Sequence, residues 1–247
     1  MESLAAGEKY VVLKGATGTG KTFAMAQTIS RSGRPSLILC HNKTLATQLA
    51  RELKGFFPDN AVELFVSYYS YYQPEAYLTA ADTYIAKTSV INDELDALRH
   101  RATKSLFERD DVIVVASVSC IYGLGLPSNY LDARVTVSKG VDLNLRDFAE
   151  SLQANLYVEQ SVAAKDLERG SFTVEHSAFG SEVIVWPPYE ESAVRVRFTN
   201  GKVTSVRQLL DGFVPTEVQD VVIYPARHHV TPEEEMVRAC HVTGFRV

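Results

Sequence analysis

From Tyr10 to Tyr122 the chain alternates short apolar runs with segments whose apolar residues recur at helical spacing. Tyr10–Lys14, Ser36–Cys40 and Val62–Val66 read as strands, and Thr22–Arg31 and Asn42–Phe56 as helices. In the second helix Leu45, Leu49, Leu53 and Phe56 fall on one face. Asn92, followed by Asp93 and Glu94, predicts a further helix start. An asparagine side chain caps free amides, and acids favour the positive end of the helix dipole. Leu95, Leu98, Ala102 and Leu106 then form one apolar stripe. Val112–Ala116 is apolar throughout, as expected of a strand covered on both faces. Alternating helices and buried strands predict a parallel α/β sheet.

From about Leu131 the rhythm shortens. Val194, Val196 and Phe198 alternate with Arg195, Arg197 and Thr199; Asn200-Gly201 and then Lys202–Val206 follow. Asn-Gly between alternating runs is the strongest short-range hairpin signal. Residues 131–225 therefore read as a second, antiparallel α+β domain after a first domain over residues 1–130.

Composition narrows the class. The chain has 247 residues, 46% apolar and 22% charged, as in ordinary globular proteins. No run approaches the ~18 apolar residues of a membrane span, and Met1–Glu8 lacks the layout of a secretory signal. Cys40, Cys120 and Cys240 lie far apart, which argues against a disulfide framework or a zinc site and fits a reducing cytosol. The net charge of −5 excludes a bulk electrostatic nucleic-acid binder, so any DNA contact must be local.

Two motifs carry chemistry. Gly15-Ala16-Thr17-Gly18-Thr19-Gly20-Lys21-Thr22 fits G-x-x-x-x-G-K-[ST], between a predicted strand and a predicted helix. Glycines let the backbone wrap phosphates, and the helix N-terminus adds positive potential. Lys21 would reach the β- and γ-phosphates of ATP and Thr22 would ligate Mg²⁺. Hydrolysis also needs an acid at the carboxyl end of a neighbouring strand. Asp110 and Asp111 precede Val112–Ala116, and its exit carries only Ser117 and Ser119. The loop is thus expected to hold a nucleotide without a visible means of cleaving it.

The second motif is aromatic. Tyr68, Tyr69, Tyr71, Tyr72, Tyr77 and Tyr84 take six of the chain's twelve tyrosines. A core segment would be richer in Leu, Ile and Val. Tyrosine suits a wet surface that grips flat groups, and base stacking contributes about 1–3 kcal/mol per base. The plainer reading is a loop whose tyrosines pack on the domain. Downstream, Arg99, His100, Arg101 and Lys104 form a basic stretch expected on the polar face of a helix, where phosphate contact is plausible.

These residues resemble the UvrB family. The match runs through Gly15–Phe23, His41–Ala46, Val66–Tyr69, Tyr71–Tyr77, Asp82–Ile85, Arg99–Thr103 and Val114–Gly125. More loosely, Ile223–Ala226 with His228, Val230, Thr231 and Pro232 resembles the family's return to its first domain. The resemblance implies a helicase-superfamily, RecA-like P-loop NTPase domain with an inserted tyrosine-rich β-hairpin over about residues 67–90. It implies a second domain that receives a UvrA-like protein, and a UvrC-like protein that then incises damaged DNA. Residues 226–247 would begin the return to the motor domain. The family's acidic ATPase box and second motor domain would follow residue 247, so the expectation is an incomplete ATPase. The alternative is a non-catalytic nucleotide-binding module that docks on a repair partner. The transcription-repair coupling factor is a weaker match.

The resemblance also locates a departure. The family's Tyr-x-Arg-Asn-Asp stretch is Tyr157-Val158-Glu159-Gln160 here, and its Phe-Arg-Val-Arg-Gly strand is Phe172-Thr173-Val174-Glu175-His176. Alternation puts Thr173 and Glu175 on one face, expected to be exposed. Two cations have thus become a hydroxyl and an anion. UvrA docking is expected to be weaker, with Arg169, Arg195 and Arg197 as the remaining partner-facing cations, unless Arg195 and Arg197 are simply the solvent side of a hairpin.

Overall fold

The computed structural model describes residues 7–67, 71–72, 76–78, 83–85, 89–90, 93–121, 124–178, 180–210 and 214–229. Asn92, Tyr68, Tyr69, Tyr122, Cys240 and the segment from Val230 onward, all named above, lie outside them.

In chain order the first elements are α1 (Lys21–Ser32), β1 (Ser36–Leu39), α2 (Lys43–Phe56) and β2 (Ala61–Phe65). Four short strands follow: β3 (Tyr71–Tyr72), β4 (Ala76–Leu78), β5 (Thr83–Ile85) and β6 (Ser89–Val90). Then come α3 (Asp93–Glu108), β7 (Val112–Ala116), α4 (Pro127–Asp132), β8 (Val135–Ser138), α5 (Leu145–Ala154) and β9 (Val158–Glu159). The last strands are β10 (Ser171–Ser177), β11 (Gly180–Trp186), β12 (Val194–Thr199), β13 (Lys202–Leu210), β14 (Val214–Glu217) and β15 (Asp220–Ile223). Contacts divide the chain into two compact units, residues 1–67 with 102–120, and residues 68–101 with 121–247.

The first unit holds a parallel sheet of order β1-β7-β2. β7 is central and buried at every position, which is why its sequence shows no alternation. Ala61, Phe65, Ala102, Val112, Val114 and Ala116 form a core there. Asn42 caps α2 by accepting from the Leu45 amide at 2.8 Å, a contribution of about 1 kcal/mol.

The expected strand at Tyr10–Lys14 is not formed. These residues join no strand pairing among the described residues, and Val12 is 91% exposed. A strand gains its hydrogen bonds only from a neighbour, and apolar character alone supplies none.

The second unit is built on a six-stranded sheet of order β14-β13-β12-β11-β10-β9, antiparallel except for the parallel β9–β10 pair. Asn200 and Gly201 both take positive φ (53° and 75°) and join β12 to β13 in the two-residue turn that Asn-Gly signals. One face of the sheet buries Phe172, Val183, Val185, Val194, Val196 and Phe198 against Phe148 and Leu152 of α5. Full burial of each large apolar side chain contributes about 1.5–3 kcal/mol. β8 and β15 pair antiparallel and add Val137 and Ile223 to this core.

Within residues 71–90 the pairing is nested and antiparallel: β3 with β6, and β4 with β5, where Tyr77 stands opposite Tyr84 in register.

Candidate functional site

The Gly15–Thr22 loop leads directly into α1, whose N-cap is Gly20. Gly18 and Gly20 hold φ of 76° and 77°, a conformation that side chains resist. At Gly15 a Cβ would come within 2.8 Å of Thr19 Oγ1, so a larger residue there would displace the threonine hydroxyl. Thr19 Oγ1 donates to Ala16 O at 2.8 Å. Lys21 Nζ donates to Gly15 O at 3.0 Å and also to Ala16 O, so its ammonium is folded onto the loop's carbonyls. The first amides of α1 have no intrahelical acceptor, and Thr22 sits among them. A small glycine-bounded turn, a helix N-terminus, one ammonium and one hydroxyl are the groups that hold a nucleoside triphosphate and its Mg²⁺.

At the carboxyl ends of the parallel strands, where α/β sheets bind ligands, β2 and β7 bring Ser67 and Ser117 together. Ser67 N donates to Ser117 Oγ at 3.3 Å, and the two hydroxyls lie 3.4 Å apart. Asp111 enters β7 from the other end and is held by Arg109 at 2.7 and 2.6 Å. The Arg109 hydrogen bond keeps the Asp111 carboxyl below its usual range. The residues that directly follow β7, Ser117 and Val118, carry a hydroxyl and an apolar side chain.

The basic stretch divides. Arg99 is only 4% exposed and His100 is fully buried, so neither lies on the polar face where the sequence reading puts them. Leu106, expected in the apolar stripe, is exposed instead. The buried face of α3 runs through Leu95, Arg99, Ala102 and Ser105. A helix face is chosen by what packs on it, and Glu63 accepts a hydrogen bond from Ser105 at 2.8 Å. Arg99 therefore leaves the set of surface cations. Arg101 is partly exposed and pairs with Glu191 at 2.5 Å, and Lys104 lies 3.8 Å from Glu108.

His100 stacks on His228, ring centroids 3.8 Å apart and planes 21° from parallel. Asp96 stands 3.8 Å from His100 Nε2, and one ligand atom from each of the three residues falls within 4.8 Å of the others. Three such groups invite a metal reading. Imidazole lone pairs lie in the ring plane, however, so near-parallel stacked rings cannot aim both at one ion. The cluster is a packing motif. Its spacing spans most of the chain, and no sequence signal marks it.

On the second unit's large sheet, the face opposite the core carries Glu182 with three arginines. Arg195 is 3.3 Å and Arg197 3.5 Å away, and Arg207 also pairs with it. Nothing in the sequence pattern marks Arg207 or Glu182; Arg207 stands opposite Arg195 and Glu182 opposite Arg197 only through strand pairing. Thr173 corrects an expectation: it is 2% exposed, and its hydroxyl donates to Val162 O at 3.0 Å. The connection through residues 162–164 crosses this part of the face and also reaches Glu175, which accepts from Ala164 N at 3.3 Å. Alternation identifies a face but not whether a connection covers it. Glu175 remains exposed. Arg169 is partly exposed and lies 3.4 Å from Glu191.

Among the described residues no helix is long and apolar enough to cross a membrane.

Residues 1–116 match the family described as the res subunit of type III restriction enzymes, and residues 135–229 match the UvrB interaction domain. The chain is 51% identical over 247 residues to the UvrABC system protein B of Nostoc sp., covering 99% of this chain and 36% of that protein. It is 52% identical over 236 residues to the protein of the same name from Gloeobacter violaceus, covering 95% and 34%. To that of Synechocystis sp. it is 50% identical over 242 residues, covering 97% and 35%. The chain spans about a third of the length of these relatives. With half of its residues shared along nearly its whole length, this chain belongs to the UvrB family.

Proposed function

We propose that this chain is the nucleotide-binding and damage-probing part of a nucleotide excision repair subunit. The observation that carries the proposal is the coincidence of a complete phosphate-binding loop with a nested antiparallel tyrosine segment in a chain half identical to UvrABC system protein B. The first domain would be a RecA-like motor half. Lys21 would leave the carbonyls of Gly15 and Ala16 to neutralise the β- and γ-phosphates of ATP. Amides of residues 18–22 would hold the remaining oxygens, and the Thr22 hydroxyl would ligate Mg²⁺. Bound magnesium supplies charge neutralisation on the phosphates; this chain's residues supply position.

DNA would be engaged by Tyr68, Tyr69, Tyr71, Tyr72, Tyr77 and Tyr84, with Arg101 and Lys104 as phosphate contacts. The rings would stack on bases that a lesion has already unstacked, where opening the duplex costs least. A UvrA-like protein would meet the partly exposed arginines Arg169, Arg195 and Arg197, and a UvrC-like nuclease would act on the resulting complex. Among the described residues, the serine hydroxyls of Ser67 and Ser117 that meet at the exit of β7 favour a second reading, in which this segment holds nucleotide without turnover and serves as a docking module.

The DNA reading is tested by deleting Tyr69–Tyr84. The expected result is a cooperative thermal melt with loss of preference for bubble over fully paired duplex. A deletion that unfolds the protein assigns the tyrosines to the core and overturns it. The two nucleotide readings separate on a phosphate-release assay: steady ATP hydrolysis by the purified chain, lost in Lys21→Ala, excludes the docking-module reading.

A further inference from the structure

In the second unit Arg101 on α3 and Arg169, just ahead of β10, reach one carboxylate. Arg101 Nη2 lies 2.5 Å from Glu191 Oε1, and Arg169 Nη2 lies 3.4 Å from Glu191 Oε2. Glu191 sits on the connection between β11 and β12 and is 76% exposed. The Arg169 guanidinium lies over the Trp186 ring, 5.6 Å from its centroid. Trp186 Nε1 donates to Glu190 O at 3.1 Å, and Glu190 N donates to Pro187 O at 3.2 Å. One tryptophan thus orients an arginine and anchors the turn that carries the acid.

Two guanidiniums against one carboxylate leave an excess of one positive charge. Each arginine takes one oxygen, as paired arginines take the two free oxygens of a phosphodiester. The present occupant is weakly held, because exposed ion pairs contribute little. Arg169 is already stacked, so it loses little freedom when a ligand arrives. An acidic peptide would offer the carboxylate that Glu191 already supplies at high local concentration. A nucleic-acid backbone adds the release of condensed counterions, which an internal acid cannot supply.

We propose that Arg101 and Arg169 form a phosphodiester clamp, and that Glu191 is an internal acid occupying it until a nucleic-acid backbone displaces it. The inference rests on the DNA-binding reading above but not on the tyrosines, and it moves Arg169 from the UvrA-facing set to the DNA-facing one.

The test is fluorescence anisotropy with a labelled oligothymidylate, using wild type, Glu191→Gln, Arg101→Gln/Arg169→Gln and the triple variant, over a range of salt. Removing the acid is expected to tighten binding about two- to fivefold, the size of an exposed ion pair. The double variant should bind more weakly, with a salt slope shallower by about two, one for each lost phosphate contact. In that background Glu191→Gln should have no further effect. Unchanged or weaker binding by Glu191→Gln, with an unchanged thermal melt, overturns the clamp. If the double variant does not fold, the exposed Glu191→Gln change decides alone. Absence of binding by every variant overturns both the clamp and the DNA reading. Binding that loses its bubble preference on Tyr69–Tyr84 deletion but ignores Glu191 overturns the clamp only.

Discussion

At the scale of single residues, the function proposed for the Gly15–Thr22 loop turns on Lys21. Its ammonium is satisfied by two carbonyls of its own loop. Nucleotide must therefore replace hydrogen bonds rather than fill an empty socket. Lys21→Ala should abolish Mg-ATP binding in calorimetry while leaving the melting temperature close to wild type, because the residue is exposed. Retained tight binding by the variant would mean that the loop is not the nucleotide site. The partner-facing sheet makes a second residue-scale case. Thr173 and Glu175 alternate onto one face of β10, but only Glu175 is open to solvent. Thr173→Arg would bury a guanidinium where a hydroxyl donates to Val162 O, and should destabilise the unit by about 3 kcal/mol or more. Glu175→Arg alone is the informative change. It should raise capture by a bacterial UvrA in a pull-down, because a like-charge contact at such a surface costs affinity and slows association. Equal, tight capture by wild type and variant would place the docking surface elsewhere.

At the scale of elements, the sequence was most legible where one physical signal decides the outcome. Val112–Ala116 is apolar at every position and is the central strand. Asn200-Gly201 carries both positive φ angles of its turn. Asn42 caps the helix it precedes. Legibility failed where a neighbour decides. Tyr10–Lys14 has strand composition and no strand partner among the described residues. α3 has an apolar stripe on paper, yet packing selects a face that includes Arg99 and His100. β1 shows a related consequence. Among the described residues it is an edge strand of its sheet, its sequence Ser-Leu-Ile-Leu has no charge, and Leu37 is 59% exposed. Uncharged apolar edges template association between chains. Leu37→Lys should therefore reduce concentration-dependent association of the purified chain in sedimentation velocity, at a cost of no more than about 1 kcal/mol of stability. Unchanged association in the variant would clear this edge.

At the scale of the whole molecule, the second unit ties together residues far apart in the chain through aromatic side chains. His100 stacks on His228, Tyr130 stacks on Tyr224, and Tyr157 donates from its hydroxyl to Tyr224 O at 2.8 Å. None of these pairings follows from composition or periodicity, because each joins segments whose separation only the fold closes. They make stability depend on pH in a definite sense. Burial first, and then the charges of Arg99 and Arg227, push His100 from 6.5 down to about 3. Burial first, and then His100 and Arg99, push His228 down to about 3 as well. The folded-state values lie below the unfolded one, so between about pH 3 and pH 6.5 the unfolded chain binds more protons. The stabilisation from this neutral pair is complete above the unfolded value and drains away as pH falls through that window. Asp96, facing His228 from the same helix as His100, opposes the trend without cancelling it. Thermal melts should show a melting temperature that falls by several degrees between about pH 7 and about pH 5. His100→Gln/His228→Gln removes both titrations. Its melting temperature should start lower, from lost packing, and change less over the same interval, with carboxylates common to both proteins as the background. An equally steep slope in the double variant would show that the stacked pair does not set the acid limit of this fold.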